Sequence, residues 1–157
     1  MVAALAFSSA AFAQSGLKED VDIIQSIYGK SKKDLVHEYM KPAEPKAAAF
    51  WKLYDEYETE RKALGLKKVQ LLSEYADHYT TLTDEKADEL ATAMLKNNMD
   101  YEKLFSKYYG KIKKEIGALD AAKFMQLEIA LQTEIRHELQ HHIPFVGEID
   151  RSKKKVN

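Results

Sequence analysis

The chain has 157 residues, 45% of them hydrophobic and 31% charged, with six glycines and three prolines. That length and balance suit one helical domain with a modest core and leave little room for long loops or β-hairpins. Twenty-four basic residues against 25 acidic ones leave no global field for nucleic acid, and the absence of cysteine excludes disulfides, thiolate metal sites and cysteine nucleophiles.

Residues 1–13 carry no charge and close on Ala11-Phe12-Ala13, the form of the latter part of a secretory signal with cleavage after Ala13. A single all-helical domain is then expected over 14–147, followed by a basic, disordered tail over 148–157 that includes Arg151 and Lys153 to Lys155. Nothing later approaches the ~18 apolar residues of a membrane span. The reading is of an exported protein with no membrane span and no nucleic-acid partner.

The first helix is expected from Leu17 to Met40, with an apolar face at Val21, Ile24, Ile27/Tyr28, Leu35 and Tyr39. Gly29 weakens it and is expected to kink or split it, and Lys41-Pro42 ends it. The second should start near Pro45, with Glu44 complementing its N-terminus. Its seam runs through Phe50, Tyr54, Tyr57, Leu64, Val69, Leu72, Tyr75 and Tyr79. Such a helix spans about 50 Å, longer than a compact domain is wide, so an elongated antiparallel hairpin is expected. Thr83 is a good N-cap for the third helix, which passes through Leu90, Tyr101, Phe105, Tyr108 and Ile112 to a C-terminal Gly117. Asp120 is expected to cap a fourth helix carrying Phe124, Leu127, Leu131, Ile135 and Leu139, which Pro144 terminates. The fold class is therefore all-α, with about four helices.

Two helix entries 40 residues apart look alike, Pro42 to Phe50 and Leu82 to Leu90. Each has an acid (Glu44, Asp84), then Lys-Ala, then an apolar residue, and Leu119 to Phe124 echoes them. Repeats of this size point to stacked helical units.

Two candidate sites follow from residue spacing. His137 and His141 are four residues apart, on one helical face, with Glu134 a turn earlier. Two imidazoles and a carboxylate suit zinc or copper. The run His137-Glu138-Leu139-Gln140-His141 formally matches the zinc-protease pattern, which also needs a third ligand; His37, His78 or a carboxylate are the candidates. A solvated polar face, with His142 near the helix C-terminus, competes with the metal reading. The second candidate is aromatic. Tyr54, Tyr57, Tyr101, Phe105 and Tyr108 fall on the seams and are expected in the core, whereas Trp51 and Tyr109 lie off them and are candidate client-binding residues. The clusters Asp55-Glu56, Glu58 and Glu60-Arg61-Lys62 are expected on solvated helix faces. No phosphate loop, serine elbow or di-metal carboxylate pattern occurs, so no catalytic residue is assigned.

Leu82-Thr83-Asp84-Glu85-Lys86 resembles the Leu-Thr-x-x-Gln helix starts of the Spy/CpxP-type periplasmic proteins, with Lys86 where that motif has glutamine. More of the chain resembles an uncharacterised exported helical group within that superfamily. The likeness rests on Lys32-Lys33-x-Leu35-Val36, Phe50-Trp51-x-x-Tyr54-x-x-Tyr57, Tyr75-Ala76, Lys123-Phe124-x-Gln126-x-Glu128 and Ile143-Pro144, over about residues 30–147. The resemblance implies a thin curved hairpin with extra helices, a homodimer, periplasmic localisation, and ATP-independent holding of unfolded or envelope proteins as clients. A chaperone-like or stress-response binding protein without catalytic activity is the leading expectation. The alternatives are a metal-binding or metal-sensing protein using His137 and His141, and a structural subunit of envelope assembly.

Overall fold

The computed structural model describes residues 23–141, apart from the His141 side chain. The expected signal over 1–13, the tail over 148–157 and the Pro144 stop lie outside the described residues. Among the described residues there are helices and no strand. After a helical segment at 23–28 come α1 (Lys32–Met40), α2 (Lys46–His78), α3 (Asp84–Ile116) and α4 (Ala118–His141).

Gly29 splits the expected first helix. Its φ of +65° is in the left-handed region that favours glycine, and its N–H closes the preceding turn on the Gln25 carbonyl at 2.8 Å. Ser31 then caps α1, its hydroxyl accepting from the Asp34 N–H at 3.2 Å. This restart shifts the buried face. Val36 and Met40 enter the core, while Tyr39, placed on the apolar face by the sequence pattern, is exposed with the Lys123 ammonium 4.8 Å from its ring centre.

α2 and α3 are 33 residues each, about 50 Å long, and pack against one another as the hairpin. Their direction is visible in pairs that step in opposite senses. Lys107 reaches Glu60, Lys111 reaches Glu56, and Lys46 at the start of α2 donates to the Ile116 carbonyl that ends α3. Thr83 caps α3 by accepting from the Lys86 N–H at 3.2 Å, with Asp84 and Glu85 in the first turn. Gly117 alone joins α3 to α4. Its N–H closes α3 on the Lys113 carbonyl and its own carbonyl accepts the Ala121 N–H that starts α4. Asp120 therefore lies inside the first turn of α4 and is not its cap.

The similar helix entries do not make a tandem stack. Lys46 is the first residue of α2 and Lys86 the third of α3, and the antiparallel turn puts Phe50 and Leu90 toward opposite ends of the hairpin. What they share is delivery of a buried apolar residue near a helix start.

The main core lies at the end of the hairpin covered by α1 and α4. Phe124 of α4 meets Phe50, Tyr54 and Tyr57 edge-on, at centroid distances of 5.7, 6.1 and 5.6 Å. Such contacts are worth about 0.5–1.5 kcal/mol each beyond burial. A second cluster joins Ile24 to Leu131 and Ile135 and so docks the segment before Gly29 on the later half of α4. Toward the hairpin tip the packing thins: in α2 no residue after Gly65 is fully buried, and in α3 only Asn97 and Leu90 are buried before Tyr101.

Candidate functional site

Side chains with binding chemistry gather in more than one place among the described residues. The first is an ionic junction where α1, α2 and α4 meet. The Lys32 ammonium donates to Glu58 Oε1 at 2.5 Å and to Glu128 Oε1 at 2.6 Å, so one cation is shared by carboxylates from two helices. Arg61 Nε adds a 2.8 Å bond to Glu58 Oε1, and Gln132 donates to Glu128 Oε1 at 3.2 Å. Burial alone would raise the Glu58 carboxyl; the Lys32 and Arg61 charges outweigh it and hold the group down at about 2. Beneath lies Tyr57, whose hydroxyl is pushed far up by burial and by the Glu128 charge. The Tyr57 hydroxyl and Glu128 Oε2 are buried without a hydrogen-bond partner among the described residues.

A cavity of about 400 Å³ opens outside this junction, bounded by Ser31, Lys33, Tyr54, Arg61 and Ile135. Lys33 binds Asp55 at 2.6 Å and Glu58 takes up Lys32 and Arg61, while Lys62 also lines the cavity. Glu58 stays ionised well below neutral pH, so it does not exchange a proton near pH 7. The junction acts as a clamp between helices. It also corrects an expectation: Glu58 and Arg61, expected on a solvated face, are buried. Their spacing from Phe50, Tyr54 and Tyr57 puts them on the seam, where ion pairing permits burial.

The second place is a groove of about 430 Å³ between α3 and α4. Phe105 and Tyr109 line it from α3, Met125 and Ile129 from α4, and Glu102, Ser106 and Gln126 give it polar edges. Ile129 is 49% exposed despite its size. The groove forms because α4 follows a one-residue turn and packs beside α3 off the hairpin's own seam. Facing side chains at Ala122 and Ser106 are too small to fill the space between the helices. An apolar floor with polar edges resembles the anatomy of a protein interface.

The residues singled out from sequence are placed as follows. Tyr54, Tyr57, Tyr101, Phe105 and Tyr108 are all buried. Tyr109 is half-buried in the groove, with Lys113 5.6 Å from its ring centre. Trp51, also half-buried, belongs to a different surface, stacked on His37 at 5.2 Å and edge-on to Phe50 and Tyr54. The two candidate client-binding residues are therefore not brought together. Glu134 and His137 are exposed on α4, and the His141 side chain lies outside the described residues. His37 stacks on Trp51, and His78 ends α2 with its ring bonded to the Glu74 carbonyl at 2.8 Å. Among the described residues no group of three or more His, Asp or Glu side chains is gathered to hold a metal ion. Among the same residues no helix is long and apolar enough to cross a membrane. Sequence reasoning missed Met125 and Ile129, because the α4 seam through Phe124, Leu127 and Leu131 accounts for that helix without them.

In comparisons with known proteins, no family profile, curated protein or solved structure matches this chain.

Proposed function

We propose that this chain is a binding protein that holds exposed apolar segments of other proteins, with the α3/α4 groove as its contact site. The observation that carries the reading is the groove itself: Phe105, Tyr109, Met125 and Ile129 form an apolar strip between polar edges on the outer side of the helices. Methionine adapts to varied apolar shapes, and tyrosine packs while its hydroxyl remains wet, a pairing suited to clients of differing sequence. With residues 1–13 read as the end of an export signal, the clients are unfolded or partly folded proteins of the cell envelope. The activity is holding, in keeping with the chaperone-like proteins whose helix starts the chain resembles.

The test is aggregation of an unrelated denatured client, followed by light scattering. Wild type at equimolar ratio is expected to slow aggregation. Tyr109→Ala/Ile129→Asp is expected to lose most of that effect with unchanged helix content, because Ile129 is exposed. No slowing by wild type at severalfold excess would remove the proposal.

A further inference from the structure

We infer, resting on the groove reading above, that the occupant of the α3/α4 groove is an amphipathic α-helix, lying with an acidic first turn at Lys113 and a basic last turn at Glu102. The walls decide the backbone of the occupant. Both are helices, and among the described residues there is no strand. Main-chain groups in mid-helix are bonded within their own helix, so the groove offers no row of free N–H and C=O groups with which an extended segment could pair. An extended segment pressed onto Phe105, Met125 and Ile129 would turn part of its main chain from water onto side chains that cannot bond it. A helix arrives with those groups already bonded and presents only side chains. Its ridges fit the space between two neighbouring helices, as the third member of a three-helix packing.

Length and charge define the helix further. On the α3 wall Glu102, Ser106, Tyr109 and Lys113 fall within about 60° of one another, at 3.6 residues per turn. The α4 wall returns from Leu119, 85% exposed, through Ala122 and Gln126 to Ile129, 49% exposed. About 11 residues of helix, roughly 16 Å or three turns, separate Glu102 from Lys113. These two charges stand at opposite ends of the α3 wall, and neither is in an ion pair among the described residues. Lys113 lies 5.6 Å from the Tyr109 ring centre, while Lys103, next to Glu102 in the chain, turns to Asp100 at 3.6 Å.

An occupant with acid at the Lys113 end and base at the Glu102 end complements both charges. A helix by itself favours the same order, acids in its first turn and bases in its last. The bound helix therefore runs parallel to α4 and antiparallel to α3. Apolar residues at i, i+4 and i+7 meet Tyr109, Met125 and Ile129 in turn.

Fluorescence anisotropy tests this with labelled peptides of about 16 residues and one composition. The first has leucine at helical spacing, glutamates in its first turn and lysines in its last. The second has the same residues in strict apolar–polar alternation, and the third is the first with its charges exchanged end for end. Wild type is expected to bind the first saturably and at least ~10-fold tighter than the second. No binding of the first, or equal or tighter binding of the second, overturns the inference. The third is expected to bind several-fold more weakly than the first, and equal binding overturns the charge complementarity. The native chain contains no cysteine, so Glu102→Cys reports direction. It should form a disulfide faster with a first peptide carrying cysteine at its C-terminus than at its N-terminus, and the reverse order overturns the direction. Ile129→Asp is expected to weaken the first peptide at least ~10-fold with unchanged circular dichroism, and unaltered binding overturns the groove as its site. Self-association of wild type that Ile129→Asp abolishes would give the groove to a second copy and overturn the inference as well. A wild type that slows client aggregation but prefers the alternating peptide loses only the helix. One that binds the first peptide through Ile129 but slows no aggregation keeps the helix and loses only the holding activity.

Discussion

Replacing Lys32 by methionine keeps the length of its stem and removes the charge that Glu58 and Glu128 share. Glu128 is 0% exposed, and after the change its carboxylate keeps only the 3.2 Å bond from Gln132. Glu58 keeps Arg61 at 2.8 Å, so most of the damage falls on Glu128. Breaking a buried pair by removing one partner costs about 3–5 kcal/mol, because the remaining charge is left uncompensated. The Glu58 carboxyl supplies a separate check. Held at about 2 against an ordinary 4.5, it contributes on the order of 3 kcal/mol to folding in wild type. Because the folded value is the lower one, that contribution is complete above pH 4.5 and disappears as pH falls toward 2. Urea unfolding followed by far-ultraviolet circular dichroism, at pH 7 and at pH 3, measures both. Lys32→Met is expected to lose about 3–5 kcal/mol at pH 7 and less at pH 3, where the Glu58 contribution that Lys32 supports is already partly gone. Lys32→Met/Glu128→Gln should recover more than half of the loss. A loss below about 1 kcal/mol at pH 7, or no recovery in the double variant, would refute the clamp.

Three other substitutions probe the backbone and the hairpin seam by the same unfolding assay. Gly117→Ala is expected to cost about 1–3 kcal/mol, since φ +101° with ψ 162° is a conformation nearly confined to glycine, although nothing lies within 4 Å of an added Cβ. Gly110→Ala, inside α3 with the same open surroundings and ordinary helical geometry, should instead stabilise by about 0.4–1 kcal/mol in dilute protein. Equal signs for the two glycines would contradict the backbone argument. Asn97 is buried on the hairpin seam, with both amide atoms lacking hydrogen-bond partners among the described residues. Asn97→Leu is expected to stabilise by about 1–3 kcal/mol, and a loss of stability would mean that the amide is satisfied in solution. Finally, Glu60→Gln weakens an exposed link to Lys107 and Tyr108 and should cost less than about 1 kcal/mol, falling further in high salt.

Much of this architecture is legible residue by residue. The apolar spacing through Phe50, Tyr54, Tyr57, Leu104, Tyr108 and Ile112 sets two long helices. Thr83 and Gly117 mark ends that depend on local chemistry alone, a hydroxyl on a free N–H and a backbone angle open to glycine. Where local chemistry offered two options, the sequence left both standing: Gly29 was compatible with a kink or a split, and the split then moved the buried face of α1 to Val36 and Met40. Asp120 is a sound N-cap by type, yet Gly117 already supplied the carbonyl that starts α4. The client-binding candidates divide in the same way. Both Trp51 and Tyr109 lie off the seams, but distance from a seam does not tell which neighbour a side chain meets.

What the sequence by itself determined is the all-helical class, the hairpin and the aromatic core, because helical periodicity and capping act within a few residues along the chain. Only the tertiary structure decided that Lys32, Glu58, Arg61 and Glu128 form one buried junction, since each is an ordinary charged residue until residues up to 96 positions apart meet. It also decided the α3/α4 groove. An opening between two helices depends on which small and large side chains come to face one another, and that matching is set by packing across the fold rather than by any local run of residues.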